Sequence, residues 1–129
     1  GTRTAFSISI KDFSDGVSDK LQSNDIVSII VSKDGVTAIP DKLTYMQILT
    51  TTTGKGVDKE NNTSGKEQDN LKTVTLLATP EQVLLLANYE DNAEIHLALV
   101  YRGDKETAQK FLDKQSEVLK NGKTDSSHG

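Results

Sequence analysis

TVTLLATPEQVLLLANYEDNAEIHLALVYRGD, Thr73 to Asp104, decides how the rest of the chain is read. Its first seven residues are rich in β-branched and apolar side chains and predict a strand over 73–79. Thr79-Pro80-Glu81-Gln82 then carries a full set of helix-start devices. Thr79 can cap, Pro80 stands at the first helical position where its missing N–H costs nothing, and Gln82 stands three residues after the cap, as a capping box requires. The helix is expected to end near Asp91-Asn92 and to bury Val83, Leu84, Leu86 and Ala87. Ile95, Leu97, Leu99 and Tyr101 alternate with Glu94, His96, Ala98 and Arg102, which predicts a second strand. A strand, helix and strand joined this closely form either a right-handed βαβ crossover or a short antiparallel return.

Working toward the N-terminus, Phe6, Ile8 and Ile10 alternate with Ser7 and Ser9, the mark of a half-buried strand. DFSDGVSDKLQSND follows, where Val17 and Leu21 suit one helical turn and Ser23-Asn24-Asp25 has turn chemistry. IVSIIVS, residues 26–32, is nearly continuous in β-branched residues and reads as a strand covered on both faces. Asp34-Gly35 is a turn signal, and residues 36–39 suit a short returning strand. Leu43 to Thr52 leans to strand, with Leu43, Tyr45, Met46, Ile48 and Leu49 as its inward candidates. Its alternation slips near Met46, where a bulge is expected.

GKGVDKENNTSGKEQDN, residues 54–70, has seven charged residues and Val57 as its single apolar side chain. It cannot bury enough surface to offset its ordering entropy and is expected to be a flexible loop inside the domain, cut first in limited proteolysis. Beyond the opening stretch, Asp104 can cap a last helix with Ala108, Phe111, Leu112, Gln115, Val118 and Leu119 on one face, stopped by Asn121-Gly122. The fold class expected is α+β: a small mixed, β-clip-like sheet with a strand–helix–strand unit and a C-terminal helix. One domain over 1–122 is expected, with a disordered tail at 123–129.

The composition restricts the chemistry. The 129 residues include no Cys, which removes disulfides, thiolate metal sites and a Cys nucleophile. The net charge of −4 speaks against a basic nucleic-acid face or a polybasic membrane patch. The longest apolar runs are five residues, Val83 to Ala87 and Leu97 to Tyr101, too short to span a bilayer. GTRTAFSIS at the start has no signal-peptide architecture.

Of the two histidines, His96 is read as a solvent-facing strand residue and His128 as part of the tail. A zinc site needs several N or S ligands and a Ser-His-Asp arrangement would have to use His96, with no Gly-x-Ser-x-Gly elbow present. Gly54-Lys55-Gly56 lacks the upstream Gly and following Ser or Thr of a phosphate loop. Asp12, Asp15, Asp19 and Asp25 cluster in sequence, as do Glu90, Asp91 and Glu94, but neither set has a cation-loop spacing, and both are read as solvated charges. Asn61-Asn62-Thr63-Ser64 holds two overlapping glycosylation sequons. No catalytic, cofactor or metal residue is assigned, and no partner-binding residue.

Two blocks carry a family likeness. FSISIKDFSDGVSDKLQSNDIVSIIV is strand, Gly-containing turn, a turn ending in Asp25, and hydrophobic strand, with Ser23-Asn24-Asp25 in place of Pro-Gly-Asp. VTLLATPEQVLLLANYEDNAEIHLALVYR is strand, Thr-Pro-Glu-Gln helix start, and a Leu-rich strand closed by a basic residue. With LTYMQIL between them, residues 4–102 resemble the Flp/Tad pilus assembly protein CpaB (RcpC) family, in its SAF-like and RcpC regions. The resemblance implies a non-enzymatic, extracytoplasmic component of a type IVb pilus machine. It implies an N-terminal membrane anchor on the full-length protein, other pilus-assembly proteins as partners, no cofactor and no nucleic acid. The alternative is a small-ligand or glycan-binding SAF-like module of the cell envelope. The loop at 54–70 and the last helix stand as local additions.

Overall fold

The computed structural model describes residues 2–11, 21–53 and 71–128. Six strands are formed: β1 (Thr4–Lys11), β2 (Ile26–Lys33), β3 (Val36–Ala38), β4 (Met46–Thr53), β5 (Leu71–Ala78) and β6 (Glu94–Tyr101). Helix α1 (Pro80–Asn92) joins β5 to β6, and α2 (Lys105–His128) follows. The turn expected at Val17 and the loop at 54–70 lie outside the described residues.

The strand order is β1-β5-β4-β2-β3, with β6 on the other edge of β2. Every described ladder is antiparallel. The α+β class therefore holds, but the strand–helix–strand unit is neither a crossover between parallel partners nor a return to an antiparallel partner, because β5 pairs with β1 and β4 and β6 pairs with β2. β5 and β6 are not neighbours, and three successive antiparallel pairings separate them, so they run in opposite senses along the ladder. Both readings assumed that strands close in sequence lie side by side.

The sheet curls, bringing β1 and β6 from its two ends near each other, and α1 packs on both. Inside the curl lie Ile8, Ile10, Val27, Ile29, Val31, Met46, Ile48, Val74, Leu76, Ile95 and Leu97. Leu86 of α1 is buried among them, completely shielded from solvent. The alternating partners on β1 and β5 point outward, where Ser7 and Thr75 share a hydrogen bond of 2.7 Å between hydroxyls. β2 is buried on both faces over its first four residues, as its unbroken apolar run predicts. Its inner residues meet the core, while Ile26 faces α2 and Ser28 donates from its hydroxyl to the Thr44 carbonyl at 2.6 Å.

The β2–β3 hairpin turns on Asp34 and Gly35, both at positive φ (52° and 82°). Two such residues form the tight turn whose twist matches the strands it joins, and glycine takes the second position without steric cost. Leu43 is buried, but in a 3-10 turn (Asp41–Leu43), and β4 begins only at Met46. The expected bulge is present three residues later than predicted, at Leu49 rather than Met46. The β4–β5 register shifts between Ile48 and Thr50, leaving Leu49 unpaired and 36% exposed rather than inside.

α1 starts as its sequence dictates. The Gln82 N–H donates to the Thr79 hydroxyl at 3.2 Å, and the Thr79 N–H donates to Gln82 Oε1 at 3.0 Å. Its buried face needs correction. Gln82 and Leu86 are buried, with Val83, Leu85 and Tyr89 half-buried, whereas Leu84 is 72% exposed and Ala87 is exposed. Gln82, Leu86 and Tyr89 follow the helical spacing of four and three, which turns Leu84 away from the sheet.

A second bulge falls in β6. Val27 pairs with Leu99, yet Ile26 pairs with Tyr101, so Val100 is the extra residue. The bulge reverses the alternation and moves Tyr101 off the inner face onto the side of Ile26. There Tyr101, Tyr45 and Phe111 pack with Ile26, Ala108 and Leu112, the Phe111 ring lying 5.2 Å from Tyr45 and 5.6 Å from Tyr101 between centroids. Gly103 has no room for a side chain, because a Cβ there would strike the Tyr101 ring.

Asp104 caps α2, its Oδ2 accepting the Thr107 N–H at 2.8 Å. The helix does not stop at Asn121-Gly122 but runs to His128. A glycine inside a helix costs only about 1 kcal/mol, less than a stop requires when the following residues can each add a helical bond.

Candidate functional site

The two blocks of the sequence that carry the family likeness are joined by the β1–β5 and β2–β6 ladders and, at one end of the latter, by an ion pair. Asp25, the residue before β2, is 1% exposed. Arg102, the residue after β6, donates to it twice: Nε to Oδ1 at 2.8 Å and Nη2 to Oδ2 at 2.7 Å. The Gln22 N–H gives Oδ2 a further bond at 2.8 Å. Burial pushes the Asp25 carboxyl up, but the hydrogen bonds from Arg102 and Gln22 and the guanidinium charge outweigh it, so the group is held below the usual carboxylate range. The same contact raises Arg102. A carboxylate engaged in this way stays ionised and occupied. It is built to fasten the start of β2 to the end of β6, not to exchange a proton near neutral pH.

Two glutamines do the same work with neutral groups. Gln82, besides its part in the α1 cap, donates from Nε2 to the Lys42 carbonyl at 2.8 Å. Gln115 of α2 is completely buried; its Oε1 accepts the Tyr45 N–H at 2.7 Å and its Nε2 donates to the Asp41 carbonyl at 3.0 Å. Residues 41–45 are thus held by α1 from one direction and α2 from another.

The residues singled out from sequence are not gathered into one place. Among the described residues, no group of three or more His, Asp and Glu side chains is positioned to hold a metal ion. Glu90 serves β1, accepting the Ser9 N–H at 2.8 Å and so capping a free group on the outer edge of that strand. Glu94 stands on β6 beside His96, their Oε1 and Nε2 3.7 Å apart. Asp25 is buried and paired rather than solvated, which corrects its reading as one of a solvated cluster. Asp12, Asp15, Asp19, Gly54-Lys55-Gly56 and the sequons at Asn61 and Asn62 lie outside the described residues, as does the His128 side chain. Sequence reasoning named neither Arg102 nor Gln115 as a positioning residue, and no local signal marks them.

His96 has a 35% exposed side chain and faces Ile30 across the β2–β6 ladder. His96→Ala is expected to shift unfolding by no more than about 0.5 kcal/mol, as for a surface change. A denaturant melt showing a loss of several times that size would make it a partnered core histidine.

Asp104 offers a pH test of the α2 cap. The Tyr101 hydroxyl, donating at 2.7 Å, and then the Thr107 N–H and hydroxyl hold its carboxyl down to about 2. A depressed carboxylate stabilises the fold above its ordinary value of 3.8 and loses that contribution as the pH falls through about 2. The helical circular-dichroism signal of α2 is expected to decline through that window, and Asp104→Asn to flatten the decline. An unchanged acid titration in Asp104→Asn would remove the carboxylate from the cap.

Part of the sheet boundary remains open to contact. β3 is the terminal strand of the order beyond β2, and all three of its residues are exposed; Val36 within it is 65% exposed and Ile39 just after it 44%. Among the described residues, no helix is long and apolar enough to cross a membrane.

A family model described as Flp pilus assembly protein RcpC/CpaB matches residues 1–100. That span takes in both likeness blocks almost to the end of β6 and stops before α2. No curated protein and no solved structure matches the chain.

Proposed function

The chain belongs to the Flp pilus assembly protein RcpC/CpaB family, and from that membership we propose that it is a non-catalytic module that helps assemble the pilus by contacting other pilus proteins. The observation that supports a contact role is the use made of the polar groups. Asp25, Arg102, Gln82 and Gln115 are all spent on joining strands, turns and helices. The exposed β3 edge, by contrast, keeps a row of backbone groups on its outer side. Such an edge can accept a strand from another chain, with alternate side chains supplying specificity. In this reading the module works outside the cytoplasmic membrane, carried there by an anchor on the full-length protein. Its contacts are transient and bury about 1,200 Å² in total or less.

The test is a cross-linking pull-down from native membranes with the full-length protein. Recovery of pilus-assembly components supports the proposal. Recovery of none, together with tight binding to a purified glycan, would replace it by the glycan-binding reading.

A further inference from the structure

A cleft of about 420 Å³ lies where the start of β1, the first turn of α1 and residues 116–120 of α2 come together. Arg3, Ser116 and Lys120 line one part of it, and Thr79, Pro80, Glu81 and Leu119 the rest. Its charge runs against that of the chain, which is −4 overall. Its lining includes two cations, Arg3 and Lys120, and one carboxylate, Glu81. That carboxylate is already engaged by Lys42, whose Nζ donates to Glu81 Oε2 at 2.6 Å.

Arg3 is the informative residue. It is half-buried, and one of its Nη2 hydrogens goes to Ser116 Oγ at 3.1 Å, which fixes the guanidinium against α2. A guanidinium has five N–H donors in a planar fork that matches a carboxylate in two parallel bonds. A half-buried guanidinium meets such a group in a medium less screening than water, so the attraction is stronger than at an open surface. Pro80 and Leu119 add apolar wall beside this polar corner. A few convergent polar groups against apolar lining, at this volume, are the ordinary make-up of a binding cleft.

We propose that this cleft binds a carboxylate-bearing segment of a partner protein, an acidic side chain next to an apolar one. The carboxylate sits on Arg3, with Lys120 adding charge at the rim, and the apolar neighbour rests on Pro80 and Leu119. This rests on the reading that the chain acts by contacting other proteins, and it names a recognition chemistry for that contact. Because Ser116, Leu119 and Lys120 belong to α2, which lies beyond the residues matched by the family model, the cleft is a feature of this chain's own C-terminal helix.

The probe is a blocked tetrapeptide of two glutamates and two leucines, titrated into the isotopically labelled protein and followed by backbone amide shifts. Saturable shifts are expected at Arg3, Thr79 and Ser116. They should weaken as salt is added, and be absent with the matching glutamine peptide. Arg3→Gln is expected to weaken binding about tenfold or more, the loss of a bidentate charge-assisted contact. Lys120→Gln, which leaves the Arg3–Ser116 bond in place, should weaken it severalfold and guards against a folding defect in the first variant. Failure of the glutamate peptide to shift the cleft at millimolar concentration, or equal affinity of the wild type and Arg3→Gln, overturns the proposal. The two readings separate in the membrane pull-down. If Arg3→Gln recovers pilus components at wild-type yield, the cleft is excluded and the assembly role stands. If the wild type recovers none, the assembly role fails whatever the peptide does.

Discussion

The Asp25 carboxylate, stripped of its cation by Arg102→Ala, is expected to destabilise the fold, because it is left shielded from water without its partner. The loss is smaller than for a fully buried pair, because the carboxylate is 1% exposed but the guanidinium side is 42% exposed, so water can enter from that side. The effect also has a pH signature. In the wild type the Asp25 pKa is lowered, so its contribution is present above 3.8 and is lost as the pH falls through the lowered value. In Arg102→Ala, burial is left as the main influence and pushes the carboxyl up. The deficit of the variant should therefore grow as the pH rises from the acid range to neutrality. Adding Asp25→Asn to Arg102→Ala should recover part of the loss, since the buried charge is then gone. Denaturant melts of the two variants at acid and neutral pH provide the check. A loss that is the same at both pH values would show that the pair matters for packing alone.

Leu86→Ala is expected to cost roughly 2–5 kcal/mol, the transfer term plus the cavity left behind. The upper half of that range is the better expectation for this position. Leu86 is the one apolar α1 side chain that is completely buried, and α1 spans the gap between the two ends of the curled sheet. A cavity there is walled by strands that hydrogen-bond to other strands and cannot simply close in. The half-buried Val83 and Leu85 beside it should lose less when shortened. If Leu86→Ala melts within about 0.5 kcal/mol of the wild type, as a surface change would, α1 is not the plug described here.

These two variants also divide what the sequence discloses from what it withholds. The α1 start was legible because all its devices lie within four residues: Thr79, Pro80 and Gln82 interact with each other and with their own backbone. The same holds for Asp34-Gly35 and for the Asp104 cap. The Leu84 error arose because Leu84, Leu85 and Leu86 are chemically identical, and only the position of the sheet tells which one faces it. The two bulges were half legible. The slip in alternation showed that β4 had an extra residue, but the extra residue is fixed by the partner strand, so it was placed at Met46 rather than Leu49. The Val100 bulge left no trace, because Leu97 to Tyr101 is apolar throughout. Asp25–Arg102 and Gln115–Tyr45 join residues 77 and 70 apart, and no local pattern announces such pairs. The family likeness did recover the two ends of the ion pair, as the last residue of one turn and the closing residue of one strand, without showing that they touch.

The place of β1 in the sheet has a consequence for the order of assembly. Among the described residues its single ladder is to β5, with Thr4 opposite Ala78. β1 therefore has no ladder partner until β5, made much later in the chain, has also emerged. Until then Ile8 and Ile10 must remain exposed, and the β2–β3 and β2–β4 pairings can form without them. Closing so long a loop carries a large entropic cost before any contact offsets it, which makes β1 docking the slow step of folding. The Glu90 carboxylate that later covers Ser9 comes from α1, so the strand that waits longest is also the one whose outer edge is covered last. That interval is when another chain's strand can occupy the place of β1.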